Sequence, residues 1–168
     1  MKKYYILFLF FLSLISHAQG DEEPVVWATS VNRISAATVD LQFDATITDK
    51  WHLYSLEEFE DGPLPTEFAF ELDSLKVRLD GPMTSSNPKI EFDEIFEIDL
   101  PFFEYKAQFT QRLEILDPSI EQISGEINYQ ACDDRLCIFR TEPFTLSLQG
   151  KAVVASSIEI TAEDQARS

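Results

Sequence analysis

The chain has 168 residues, 45% of them hydrophobic, and a formal net charge of −17. A surface with 30 acidic and 13 basic residues repels nucleic acid, so nucleic-acid binding is excluded as a function class. Loss of Lys2 and Lys3 with an N-terminal leader takes the charge from −17 to −19, which favours a partner with a basic docking face.

Residues 1–18 are predicted to be a secretory signal peptide. Two lysines precede an apolar run from Tyr4 to Ile15, and Ser16-His17-Ala18 has the small-x-small pattern of a cleavage site. The run is shorter than the roughly 20 residues of a membrane span, and no second candidate span follows it. We therefore expect an exported chain, periplasmic or secreted, that begins at Gln19 and has no membrane span after cleavage.

Apolar and polar residues alternate in several short runs, which is the pattern of half-buried strands. The clearest run is Val39, Leu41, Phe43, Ala45 and Ile47. Others are Phe68, Phe70 and Leu72; Leu75, Val77 and Leu79; Phe103, Tyr105, Ala107 and Phe109; Ile127, Tyr129 and Ala131; and Phe144, Leu146 and Leu148. No helical period of similar length competes with them. An all-β protein is predicted.

Turn-forming residues separate these runs: Asp61-Gly62-Pro63-Leu64-Pro65, Asp80-Gly81-Pro82, Ser85-Ser86-Asn87-Pro88, Asp117-Pro118-Ser119 and Ser124-Gly125. Six or more short strands with such turns predict an antiparallel β-sandwich. A closed barrel is the alternative, because the sequence does not fix the order of the strands. One domain is expected over residues 19–149, and residues 150–168 are expected to form a loose tail.

The segment from Lys89 to Glu97 mixes apolar and acidic residues and fits a strand edge or a loop equally well. Phe92 and Phe96 both lie in this segment. They are expected to pack on the core, or one of them is expected to cover a nearby reactive site.

The two cysteines of the chain, Cys132 and Cys137, are separated by four residues at the end of an alternating strand. This spacing predicts a hairpin in which they face one another, and directly opposed residues are close enough for a disulfide. A bridge across so short a loop contributes only about 2 kcal/mol in the chain-entropy model. A domain of this size also needs no covalent support for its core.

Two interpretations of the pair follow from the residues. One is a redox-active disulfide, in which an accessible cysteine attacks and its neighbour resolves the mixed disulfide. The other is an inert structural bridge in a secreted interaction domain. Asp133 and Asp134 raise a thiol pKa whereas Arg135 lowers it, so the direction of the net shift stays open. A metal site is not expected, because His52 is the one histidine left after cleavage.

Three motifs give the chain a family resemblance. YQACDDRLC at residues 129–137 is the most specific, and DKWHLYS at 49–55 and GPLPTEF at 62–68 support it. Together they resemble the N-terminal periplasmic domain of the thiol:disulfide interchange protein DsbD, over about residues 25–149. Family members often have a proline pair soon after the second cysteine, whereas Ile138-Phe139-Arg140 follows here.

The resemblance implies an immunoglobulin-like sandwich that carries reducing equivalents. Cys132 and Cys137 would be the redox pair, with Cys137 forming the mixed disulfide. Phe96 would cap the cysteines and Tyr54 would line the same site. The implied partners are thioredoxin-like periplasmic proteins and a separate membrane thiol carrier as electron source, and no cofactor is implied. His52 is expected to be a partly buried member of an aromatic cluster with Trp51 and Tyr54, without a catalytic role.

Overall fold

The computed structural model describes residues 23–148, which contain eleven β-strands. The strands are β1 (Val25–Arg33), β2 (Thr38–Ile47), β3 (His52–Tyr54), β4 (Glu67–Glu71), β5 (Val77–Leu79), β6 (Thr84–Ser85), β7 (Lys89–Asp93), β8 (Ile98–Phe103), β9 (Lys106–Ile115), β10 (Gln122–Cys132) and β11 (Cys137–Ser147). Between residues 23 and 148 there is no helix that would be long and apolar enough to cross a membrane. The predicted signal peptide and the whole of the predicted tail lie outside this range.

The strands form two antiparallel sheets. The first has the order β1-β2-β9-β5, with β6 also paired to β9. The second has the order β11-β10-β3-β8-β7, and β4 pairs with β10 beside β3. Both sheets are open, so the barrel alternative is wrong. The predicted immunoglobulin-like antiparallel β-sandwich is confirmed.

The main core lies between the sheets and is apolar. Every second residue of β2 from Val39 to Ile47 is buried, as the alternation predicts. Phe43 packs against Phe68 and Phe144 of the opposite sheet, with ring centroids 4.8 and 4.9 Å apart. Removal of this apolar surface from water is the main source of stability for the fold.

Gly125 lies inside β10, so the turn predicted at Ser124-Gly125 is wrong. A Cβ atom at residue 125 would clash with the carbonyl oxygen of Ala69 and lie 2.6 Å from the ring of Phe144. The glycine is therefore placed where a neighbouring segment packs closely against the strand. Close approach of another backbone is a common reason for a glycine inside a strand.

The run from Phe103 to Phe109 is two strands rather than one. β8 ends at Phe103 in one sheet, and β9 begins at Lys106 in the other. Tyr105 has a positive φ of 64° and is exposed, which fits a turn that carries the chain between sheets. Leu75 is likewise exposed in a turn before β5 rather than in the strand.

Candidate functional site

β10 and β11 form a long hairpin that ends at the cysteine pair. Its register runs from Gln122 opposite Ser147 to Cys132 opposite Cys137. The two cysteines are joined by a disulfide, and their Cα atoms are 4.1 Å apart. The predicted hairpin with opposed cysteines is confirmed.

The loop between the cysteines is held by the side chain of Asp133. Its Oδ1 atom accepts hydrogen bonds from the backbone N–H groups of Arg135 and Leu136, at 2.8 and 2.7 Å. The bond from the Arg135 N–H lowers the pKa of Asp133, so its carboxyl group stays ionised. These bonds hold the turn, and the carboxylate keeps its negative charge beside the site.

The two sulfur atoms have different access to solvent. Cys132 is 0% exposed and belongs to a small buried cluster with Tyr54, Leu100 and Phe102. Cys137 packs against the edge of this cluster and is partly exposed. We call this group the site cluster; it is separate from the main core. An incoming thiolate would meet Cys137 first.

Phe96 packs against the site cluster from a tight turn that follows β7. Asp93 holds this turn: its Oδ1 atom accepts hydrogen bonds from the backbone N–H groups of Ile95 and Phe96, at 2.8 and 3.1 Å. The Phe96 ring makes an edge contact with Tyr54, with ring centroids 5.9 Å apart. The structure therefore brings together the four predicted site residues, Tyr54, Phe96 and the two cysteines.

Asp93 also links this turn to the floor of the site. Its Oδ2 atom accepts a hydrogen bond from the Tyr54 hydroxyl at 2.7 Å, and the hydroxyl lies 3.0 Å from His52 Nε2. Burial and the bond to Asp93 raise the pKa of Tyr54 far above its ordinary value of 10.0. Burial lowers the pKa of His52, although Asp93 opposes that shift. Tyr54 is thus a permanent hydrogen-bond donor that holds the turn in place.

Two expectations for neighbouring aromatic residues need correction. Phe92 does not pack on the core: it is 61% exposed on β7, which is the edge strand of its sheet. His52 contacts Tyr54 and Phe102, as expected of an aromatic cluster, but Trp51 packs against the main core instead. Trp51 precedes β3, and within β3 Leu53 faces the main core whereas Tyr54 faces the site cluster.

An acidic hollow of about 310 Å³ lies beside the site. His52 and Phe102 line it together with the acidic side chains of Asp93, Glu94, Glu104, Asp133 and Asp134. Within the range 23–148 there is no group of three or more His, Cys, Asp or Glu residues arranged to hold a metal ion. The hollow gives the surface next to the disulfide a negative potential.

Two buried polar residues at the site went unrecognised in the sequence. Asp93 is 6% exposed and Gln130 is 3% exposed. Gln130 lies beside the disulfide, with Nε2 3.6 Å from Cys132 Sγ. In the sequence, its position two residues before Cys132 places both side chains on one face of the strand, but it does not indicate burial.

The fold and the site define a β-sandwich of the thiol-disulfide interchange class, with a disulfide at the end of an outer hairpin. The family model for the thiol:disulfide interchange protein DsbD, N-terminal, matches residues 22–149. The chain belongs to this family. No curated protein matches the chain.

Solved structures similar to the chain include two bacterial domains and one bacterial complex. The N-terminal periplasmic domain of ScsB from Proteus mirabilis is 16% identical with a TM-score of 0.58; the match covers 79% of this chain and half of that one. The DsbD N-terminal domain of Neisseria meningitidis in the reduced form is 16% identical (TM-score 0.47, 75% and 86% covered). The complex of the DsbD and PilB N-terminal domains from that organism contains a chain that is 14% identical, with a TM-score of 0.46; the match covers 77% of this chain and 89% of that one. The ScsB likeness supports the sandwich fold.

Proposed function

We propose that the protein is a periplasmic thiol-disulfide oxidoreductase module in which Cys132 and Cys137 are the redox pair. The observation that carries the proposal is the asymmetry of the disulfide: Cys137 reaches the surface, whereas Cys132 is fully buried behind it. Exchange needs one sulfur open to attack and a second close enough to resolve the intermediate. Membership of the DsbD N-terminal family supports the same chemistry.

The proposed reaction begins with the reduced pair. The Cys137 thiolate attacks one sulfur of a partner's disulfide, so a bond forms between Cys137 and the partner, and the partner's other sulfur leaves as a thiolate. The Cys132 thiolate then attacks Cys137 Sγ and releases the partner as a dithiol. The protein ends as the disulfide, and the partner has gained two electrons and two protons. A dithiol on another protein restores the reduced pair by the reverse sequence.

Phe96 and Tyr54 control access to the pair in this proposal. Phe96 packs over the site cluster, and Tyr54 supports it through the edge contact and through Asp93. A partner that displaces the Phe96 turn gains wider access to the cysteine pair. The cap thereby limits reaction with small oxidants and unrelated thiols.

The proposed partners are thioredoxin-like periplasmic proteins, with a separate membrane thiol carrier as the electron source. Leu136 and Phe139 flank Cys137 and are both more than half exposed, which offers apolar contact to a docking protein. The acidic hollow beside the site favours a partner that has basic residues facing it. No cofactor is required, because the two sulfurs carry the electrons.

Single-cysteine variants test the proposal. Cys132→Ser removes the resolving sulfur, so exported protein should accumulate as a mixed disulfide between Cys137 and a thioredoxin-like partner, seen as a species that a reductant dissolves. Cys137→Ser is the matched control and should trap no such species. If neither variant traps a partner under conditions that trap a known exchange protein, the pair is the inert bridge of a secreted interaction domain.

A further inference from the structure

Gln130 is a buried amide side chain next to the buried sulfur. It lies two residues before Cys132 on β10, so both side chains are on the same face of the strand. A buried polar group carries a free-energy cost unless its hydrogen bonds are satisfied. The partners of Gln130 therefore show what the side chain does.

The orientation of the Gln130 amide is fixed by a backbone group. The N–H of Leu64 donates to Oε1 at 2.8 Å. A backbone N–H can only donate, so the carbonyl oxygen must face Leu64 and the NH₂ group must face the other way. The NH₂ nitrogen lies 3.6 Å from Cys132 Sγ. The donor is thus aimed at the sulfur by the fold itself.

We infer that Gln130 is a catalytic residue that stabilises the negative charge on Cys132 Sγ when the disulfide opens. The inference rests on the proposed function. An incoming thiolate forms a bond to Cys137 Sγ, the bond between Cys137 and Cys132 breaks, and its electron pair moves to Cys132 Sγ. The Gln130 N–H then donates to the new thiolate, where before it faced a neutral sulfur.

A hydrogen-bond donor is needed at this position because Cys132 is buried. Cys132 is 0% exposed, so water cannot solvate the leaving thiolate, and burial among apolar side chains disfavours the charge. A fixed donor placed where charge develops stabilises that charge without reorganisation. Disulfide exchange is faster when the leaving thiol has a lower pKa. In the opposite direction, the same donor keeps more of Cys132 ionised for the resolving attack.

The direct test measures the pKa of the Cys132 thiol in the Cys137→Ser background, from the pH dependence of the cysteine Cβ signal in NMR spectra. Gln130→Met keeps the length of the side chain and removes the donor. We expect the pKa of Cys132 to rise by about one unit, a tenfold change in its ionisation constant.

Gln111→Met is the matched control for a buried glutamine. Gln111 is 2% exposed on β9 in the other sheet, and its Nε2 atom donates to the carbonyl oxygens of Gly81 and Arg112. This substitution also removes a buried donor and should lower stability. It should leave the pKa of Cys132 unchanged.

Gln130→Glu covers the case in which Gln130→Met does not fold. The glutamate keeps an oxygen for the Leu64 N–H but turns a negative charge toward the sulfur, so the pKa of Cys132 should rise further. With both cysteines present, both variants should also slow reduction of the disulfide by dithiothreitol several-fold. A correctly folded variant with an unchanged Cys132 pKa and an unchanged reduction rate overturns the inference.

The outcomes separate this inference from the proposed function. If partner trapping succeeds but the substitutions at Gln130 leave the pKa and the rate unchanged, the exchange function stands and Gln130 is only structural. If trapping fails but the pKa of Cys132 shifts as expected, the contact is real and the disulfide does not serve exchange.

Discussion

The two halves of β10 differ in what they bury. From Ile123 to Tyr129 the strand contributes apolar side chains to the main core, and Gly125 leaves no room there for even a methyl group. Near its end Ala131 still packs in the main core, but Gln130 and Cys132 lie on the opposite face of the strand. There Cys132 joins the site cluster, and an amide, a phenol and a carboxylate are buried close to the disulfide. The first half stabilises the fold, whereas the second half holds the disulfide, whose cleavage does not disturb the main core.

This difference explains how the disulfide can be reactive in a stable domain. A bridge between residues only five apart in sequence adds about 2 kcal/mol, which a core of this size does not need. The polar groups of the site are held by the backbone of neighbouring turns, as with Asp93 and the turn of Phe96. Opening the bond therefore leaves the sandwich intact.

The largest effect is expected from the core half of β10. Ile127 is fully buried, so Ile127→Ala should lower the free energy of unfolding by about 2–5 kcal/mol. Denaturant unfolding measures this change. The rate of disulfide reduction in the folded protein should stay at the wild-type value; a large change in that rate would show that the two halves are coupled.

Tyr54→Phe tests the polar support of the site. The substitution keeps the ring but leaves Asp93 without its hydroxyl partner, which should cost about 1–3 kcal/mol of stability. Tyr105→Phe is the matched control, because Tyr105 is exposed. Equal unfolding free energies for the two variants would remove Tyr54 from its supporting role.

Phe96→Ala tests the cap with a smaller effect on stability, because Phe96 is only partly buried. The reduced cysteines should be alkylated several-fold faster than in the wild type. Ile90→Ala is the control, since Ile90 is exposed on β7 and lies outside the lining of the acidic hollow. An alkylation rate unchanged by Phe96→Ala would exclude Phe96 as a cap.

The smallest expected effect is on the pH dependence of the free energy of unfolding. Burial lowers the pKa of His52 from 6.5 in the folded state, so the unfolded chain binds the proton more readily. The stabilising contribution of neutral His52 is present above about pH 6.5 and is lost as the pH falls through the lowered pKa of the folded state. Unfolding free energies at pH 7.5 and 5.0 should differ more for the wild type than for His52→Gln. A drop of the same size in both would contradict this assignment.

Local pattern was sufficient for much of the fold and for the cysteine hairpin. The alternation of β2 identifies a buried strand because its side chains face one apolar core, and the short spacing of the cysteines dictates a hairpin. Short strands such as β3 cannot be predicted in this way, because three residues are too few to show an alternation of apolar and polar side chains. The change of sheet at Tyr105 could not be predicted either, because the apolar alternation in the sequence continues across the turn.

The polar half of the site could not be predicted from local pattern. Gln130 occupies a position that alternation assigns to the outer face of the sheet, and it is buried because the segment at Leu64 covers that face. Asp93 is one of many carboxylates, and only the fold shows that both of its oxygens accept hydrogen bonds. Contacts between distant segments create these environments.

The reduction potential of the Cys132–Cys137 pair tests the central claim most directly. The wild-type protein would be equilibrated with thiol-disulfide buffers of known potential, and the reduced fraction would be counted by alkylation. A module that exchanges electrons with thioredoxin-like partners should have a potential between about −270 and −120 mV. A value below about −300 mV would mark a structural bridge and contradict the account.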